Sequence, residues 1–216
     1  MKPVLWEVDA QADFMLPDGK LYVPGAEKII PNVNRLVEAA RQGHTLLISS
    51  ADAHNLDDPE LREWPPHCVK GTAGAELIPE ARAARHLTIP NQRGFVLPRD
   101  LGDFRQIILE KNTLDVFDNP NTDALLARLS SGRTRGSDSG PDFLVFGVVT
   151  EFCVRCAVEG LLRRGYRVSI VKDAIQALDE EKGNEVLREL QSRGARLVST
   201  DEVLGLMGIR GSTVAA

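Results

Sequence analysis

The chain has 216 residues, 43% of them hydrophobic, and sets 26 basic against 31 acidic residues for a net charge of −5. That length suits one well-buried domain, and the absence of any Lys/Arg block leaves no footprint for a phosphate backbone or an anionic membrane. No nucleic-acid or membrane partner is therefore expected, and without a signal-peptide pattern or an apolar run near the ~20 residues of a membrane span, a cytoplasmic location is expected.

Continuous runs rich in Val, Ile and Leu at Pro3–Val8, Thr45–Ser50, Gln106–Glu110, Phe143–Val149, Arg167–Val171 and Arg196–Ser199 predict six strands buried on both faces. Helical spacing falls between most of them, at Ile29–Arg41, Thr122–Leu129, Glu151–Arg164 and Glu180–Arg193. Alternation of this kind predicts an α/β fold, a parallel sheet covered by helices on both sides. Asp9-Ala-Gln-Ala-Asp-Phe14 follows the first strand and lacks the glycines of a dinucleotide-binding turn. The Gly/Ser-rich stretch Ser130–Pro141 reads as a mobile loop, residues 1–207 as one domain, and Gly208–Ala216 as a loose tail.

Ligand crevices in open parallel sheets lie beyond the carboxyl ends of the strands, so the polar residues just after the apolar runs are the candidates. They are Asp9, the Asp52-Ala-His54 stretch, Lys111 and Cys153. Three cysteines form no disulfide framework. Thr150 is placed to cap the helix that follows, which puts Cys153 in a first turn whose dipole favours thiolate, although Glu151 opposes it. Cys156 reads as core packing, and Cys68 as either a metal thiolate or an inert apolar residue, the second being favoured. Asp52 and His54, two apart in an extended segment, can point one way, and Pro65-Pro66 restricts His67. With Glu60 and Glu63 nearby they form a mixed N/O set suited to Zn²⁺, Mn²⁺ or Fe²⁺ with positions open to water or substrate. His44 and His86 have no such company.

Four motifs carry a resemblance that spans Asp9 to about Asp173: Asp9-x-Gln11-x-Asp13-Phe14; Asp52-x-His54 with Trp64-Pro-Pro-His-Cys-x-x-Gly-Thr-x-Gly-Ala75; Lys111; and Gly147-Val-Val-Thr-Glu-Phe-Cys153. The sequence resembles the nicotinamidase branch, pyrazinamidase-type, of the isochorismatase-like cysteine hydrolases. The resemblance implies a three-layer fold around a six-stranded parallel sheet and a catalytic set of Asp9, Lys111 and Cys153. It further implies a cis peptide between Val148 and Val149 and an oxyanion hole of the Val149 and Cys153 backbone N–H groups. One divalent metal, zinc before manganese or iron, is implied on Asp52, His54, Glu60 and His67, with Phe14 and Trp64 against the substrate ring. Two places depart from the family pattern: Ala12 stands where Asn is frequent, and the fourth ligand, often His, is Glu60, with Glu63 as the possible substitute. The implied reaction is hydrolysis of nicotinamide to nicotinate and ammonia. Another small-amide or carbamoyl hydrolase, or a non-catalytic metal-bearing binding protein, are the competing readings, and a homo-oligomer is left open.

Overall fold

A computed structural model describes residues 3–130 and 140–209. Most of the Ser130–Pro141 loop and of the Gly208–Ala216 tail lies outside the described residues. In chain order the elements are β1 (Val4–Val8), α1 (Ala12–Met15), α2 (Ile30–Arg41), β2 (Leu47–Asp52), β3 (His86–Ile89) and β4 (Gln106–Lys111). They continue with α3 (Thr122–Ser130), β5 (Asp142–Val148), α4 (Arg155–Arg163), β6 (Arg167–Gln176), α5 (Glu180–Ser192), β7 (Arg196–Val198) and α6 (Thr200–Leu206). Among the described residues the strands form one parallel sheet in the order β3-β4-β2-β1-β5-β6-β7.

The sheet thus has seven strands, not the six the sequence predicts. The additional one, β3, is an edge strand of four residues paired with β4 from His86↔Gln106 to Ile89↔Leu109. Only Ile89 of its side chains is buried, and Pro90 stops it, so it never presents the long apolar run that marks the inner strands. β6 also runs on to Gln176, past the expected Val171, through a register shift opposite Val145 and Gly147 of β5. Gly147 is required there: at φ 118°, a Cβ on it would sit 2.1 Å from the Val8 carbonyl oxygen. Side-chain bulk at that point would push β5 off β1.

All five residues of β1 are buried, as a strand covered on both faces should be. The chain leaves β1 in one direction to build β2, β4 and β3, and in the other to build β5, β6 and β7. The order reverses between β1 and β5, and a crevice opens at such a switch point, beyond the carboxyl ends of the strands. No helix is long and apolar enough to cross a membrane among the described residues.

Candidate functional site

Four strand ends converge on the crevice. Asp9 follows β1, Asp52 ends β2, Lys111 ends β4, and Cys153 lies five residues beyond β5. Asp9 takes a left-handed backbone conformation, φ 51°, rare for a residue with a Cβ and the mark of a forced corner. Its Oδ1 accepts from the Ser50 hydroxyl at 2.7 Å, and its Oδ2 lies 2.9 Å from Lys111 Nζ. The same ammonium donates to Asp52 Oδ1 and stands 3.5 Å from Cys153 Sγ. Lys111, Asp9 and Asp52 are each at most 3% exposed. The three groups assigned to catalysis by resemblance therefore meet around one buried cation, which Asp52 shares.

Burial and charge act unequally on these groups. Burial raises the Asp9 carboxyl, with Lys111 opposing and the Asp52 charge adding to the rise. Burial is the strongest single influence on Asp52 and would raise it as well, but Lys111 and the His54 and His67 imidazoles together outweigh it and hold this carboxyl below its usual range. Lys111 stays charged despite its burial because Asp52 and Asp9 flank it. Burial pushes the Cys153 thiol well above its usual range against the pull of Lys111, with the neighbouring Asp9 and Asp52 carboxyls adding to the rise. This corrects the thiolate expected from helix position. Thr150 caps nothing, being itself the first residue of a π-helical turn, Thr150–Val154, that precedes α4 and has Val149 as its cap. The peptide between Val148 and Val149 is cis.

Beside this set lie Asp52, His54, Glu60 and His67, whose potential ligand atoms all fall within 4.8 Å of one another. Glu63, the alternative acid, is exposed and not in the group. The donor set fits a divalent cation. His54 is fully buried, and its Nε2 has no hydrogen-bond partner, while its Nδ1 faces Asp58 Oδ2 at 3.4 Å. His67 directs Nδ1 to the Pro65 carbonyl at 2.7 Å. Both imidazoles thus turn Nε2 inward, 3.8 and 3.7 Å from Asp52 Oδ2, too far for hydrogen bonds and suited to a shared ion. Cys68 is excluded from the group: burial raises its thiol, its amide donates to Asp13 Oδ2 at 2.7 Å, and it reads as an inert packing residue.

Two residues quoted in the motifs but given no role turn out to position the site. Gln11 donates to the Asp52 and Ala75 carbonyls and accepts the Asp52 amide, all at 2.7 Å, so it ties the end of β1 to the end of β2. Asp13 holds the Cys68 amide, and a Cβ on Gly74 would come within 2.2 Å of its carboxylate. That contact is why the Gly-Thr-x-Gly spacing accompanies the histidine segment. Between the two clusters opens a pocket walled by Phe14, Trp64, Val149, Phe152 and Leu178, with Asp9, Asp52, Glu60, His67 and Cys153 at its base. Phe14 lies 5.3 Å from the His67 ring, and Trp64 meets Phe152 edge-on at 5.6 Å.

The isochorismatase domain model matches residues 4–95 and 84–202. The chain belongs to the isochorismatase family. Its relatives place it in the nicotinamidase branch. Nicotinamidase of Escherichia coli is 25% identical to it over 88% of this chain and 91% of its own. Among solved structures, pyrazinamidase of Pyrococcus horikoshii in complex with zinc is 29% identical, with a TM-score of 0.70 over 92% of this chain and 99% of that one. N-carbamoylsarcosine amidase from Thermoplasma acidophilum is 28% identical, with a TM-score of 0.68 over 93% of this chain and 98% of that one. This family membership and these relatives mark the chain as an amidohydrolase of the isochorismatase type.

Proposed function

We propose that the protein is a metal-containing cysteine amidase that converts nicotinamide to nicotinate and ammonia through a thioester on Cys153. The observation that carries this reading is the adjacency of two sets: Lys111 bridges Asp9 and Cys153 on one side and the Asp52 corner of the His54–Glu60–His67 cluster on the other.

The chemistry follows from the shared cation. The thiol proton passes from Cys153 to Asp9, and negative charge moves from carboxylate to sulfur while remaining beside Lys111, so little electrostatic work opposes the transfer. Sulfur bonds to the amide carbon, and the Val149 and Cys153 backbone N–H groups receive the oxyanion, each donor worth about 3 kcal/mol. Asp9 returns its proton to the departing nitrogen, the C–N bond breaks, and ammonia leaves. A water then loses a proton to Asp9 and attacks the thioester. The carbon–sulfur bond breaks, Asp9 returns that proton to the Cys153 sulfur, and the acid departs. The raised Asp9 carboxyl suits both directions of this proton traffic. Asp52, His54, Glu60 and His67 would hold the metal, which when bound supplies a Lewis acid for a ring nitrogen. Phe14 and Trp64 would flank the ring.

A second reading, hydrolysis of another small amide or a carbamoyl group, draws on the likeness to N-carbamoylsarcosine amidase. The inward-turned histidines favour the heteroaromatic substrate. Ammonia release from nicotinamide, set against N-carbamoyl amino acids and aliphatic amides, tests both. Faster turnover of the carbamoyl compounds would reverse the assignment, and no ammonia from any of them would leave a metal-bearing binding protein.

A further inference from the structure

Glu7 is a carboxylic acid in the middle of the central strand, with no exposed surface at all. Its neighbours across the sheet are Ser49 on β2 and Phe146 on β5, so no cation faces it from either strand. One carboxyl oxygen, Oε1, accepts the Ala10 amide at 2.7 Å. Oε2 makes no hydrogen bond of ordinary geometry. Ala10 is the residue directly after Asp9, and the Glu7–Ala10 bond therefore closes a four-residue turn whose corner is the left-handed Asp9. A strained corner persists only where its surroundings over-determine it. Here the Asp9 amide is bonded to the Ser50 carbonyl on one side, and the Ala10 amide is held by Glu7 on the other.

We propose that Glu7 is a positioning residue: by gripping the Ala10 amide it fixes the Asp9 corner, and so sets how the Asp9 carboxyl meets the Cys153 thiol. The inference rests on the cysteine-hydrolase reading of the site. Nothing in the fold requires an acid at this place, since a buried acid without a charged partner costs stability that an apolar side chain would not. Burial pushes Glu7 up to about 8, opposed by the Ser49 hydroxyl and the Ala10 amide and reinforced by Asp9. The acid is therefore neutral at pH 7, and above pH 8 it brings a second negative charge beside Asp9.

Glu7→Met removes the acceptor and keeps an unbranched chain of similar volume; Glu7→Gln keeps the acceptor. Both are measured in the metal-loaded enzyme for kcat, KM and Tm, together with iodoacetamide alkylation of Cys153 against pH, mapped by mass. For Glu7→Met we expect kcat to fall on the order of a hundredfold with KM within about twofold, because orientation is lost and binding is not. Tm should stay at or above wild type, which a purely structural residue would not allow, and the alkylation midpoint of Cys153 should move by about one pH unit. Glu7→Gln should stay within about threefold of wild type at pH 7 and lack the fall in kcat expected of wild type as Glu7 ionises. Wild-type kcat and alkylation in Glu7→Met, or equal impairment of both variants, overturns the proposal. Should Glu7→Met not fold, Glu7→Gln decides: an alkaline limb identical to that of wild type overturns it. A wild-type protein that releases no ammonia from nicotinamide defeats the substrate assignment alone, because Cys153 alkylation still reports whether Glu7 governs its pairing with Asp9.

Discussion

Among the described residues Lys111 is the single cation facing two buried carboxyls and a thiol, so its removal strips compensation from all of them at once. Lys111→Met is expected to destabilise the fold by about 3–5 kcal/mol at pH 7, read as a shift in the urea midpoint, because an uncompensated buried charge is what such a truncation leaves. Glu7 gives the opposite sign. Its carboxyl rises from 4.5 unfolded to about 8 folded, so the native state binds more protons and stability falls as pH climbs through that window. Glu7→Gln should match wild type below about pH 4.5, gain progressively up to pH 8, and level off with an advantage of roughly 5 kcal/mol. A flat difference between the two denaturation curves across pH would show that Glu7 does not titrate in the native state. At this scale the sequence was legible wherever a polar residue ended an apolar run, which is how Asp9, Asp52, Lys111 and Cys153 stand out. Glu7 and Asp13 were hidden because burial, not residue type, gives them their roles. The state of Cys153 departs from the sequence expectation for the same reason, since helix position is visible in a sequence and desolvation is not.

Among the elements, the turn between β6 and α5 shows how the pocket mouth is built. Glu151, two residues before Cys153, accepts the Asp179 amide at 2.7 Å and the Leu178 amide at 3.3 Å. That clamp sets Leu178, 46% exposed, against the pocket wall beside Phe152 and Trp64. Leu178→Ala should raise KM for a flat aromatic amide about fivefold to tenfold, the worth of part of a buried leucine, with kcat nearly unchanged. Glu151→Ala should do the same although it lies outside the pocket wall, because it frees the turn. Unchanged KM in both variants would show that Leu178 does not meet the substrate. Legibility was uneven among elements. α2, α3 and α5 fall within a residue or so of the expected helices because their apolar stripes repeat cleanly. The short β3 had no such run, and the π-helical turn before α4 has no period of its own to read. α6 begins with a capping box in which Ser199 and Glu202 bond each other's backbone, a signature that the Ser-x-x-Glu spacing carries in the sequence.

At the level of the whole molecule, topology brings together residues that lie up to 144 positions apart, Asp9 and Cys153, because β1 and β5 are neighbours where the strand order reverses. Alternating strands and helices foretell the parallel sheet but not the strand order, so the meeting of Asp9 with Cys153 could be taken only from the resemblance. The metal cluster spans the same assembly, with Asp52 and His54 from the β2 end and Glu60 and His67 from the long connection to β3. A cation held there joins that connection to the sheet and should stabilise the whole fold by mass action, about 4 kcal/mol at a thousand times its Kd. Chelation is therefore expected to lower Tm and to raise KM for nicotinamide strongly, while Cys153 still reacts with iodoacetamide, since Asp9 and Lys111 remain in place. His54→Ala and His67→Ala should each lose bound metal and copy the chelated enzyme in both readouts. Glu60→Gln should weaken metal retention more gently, and exposed Glu63→Gln should behave as wild type. Metal content measured beside Tm and KM for these four variants decides the matter: full metal in both histidine variants would make the cluster a structural one, and a larger loss from Glu63→Gln than from Glu60→Gln would move the acidic ligand.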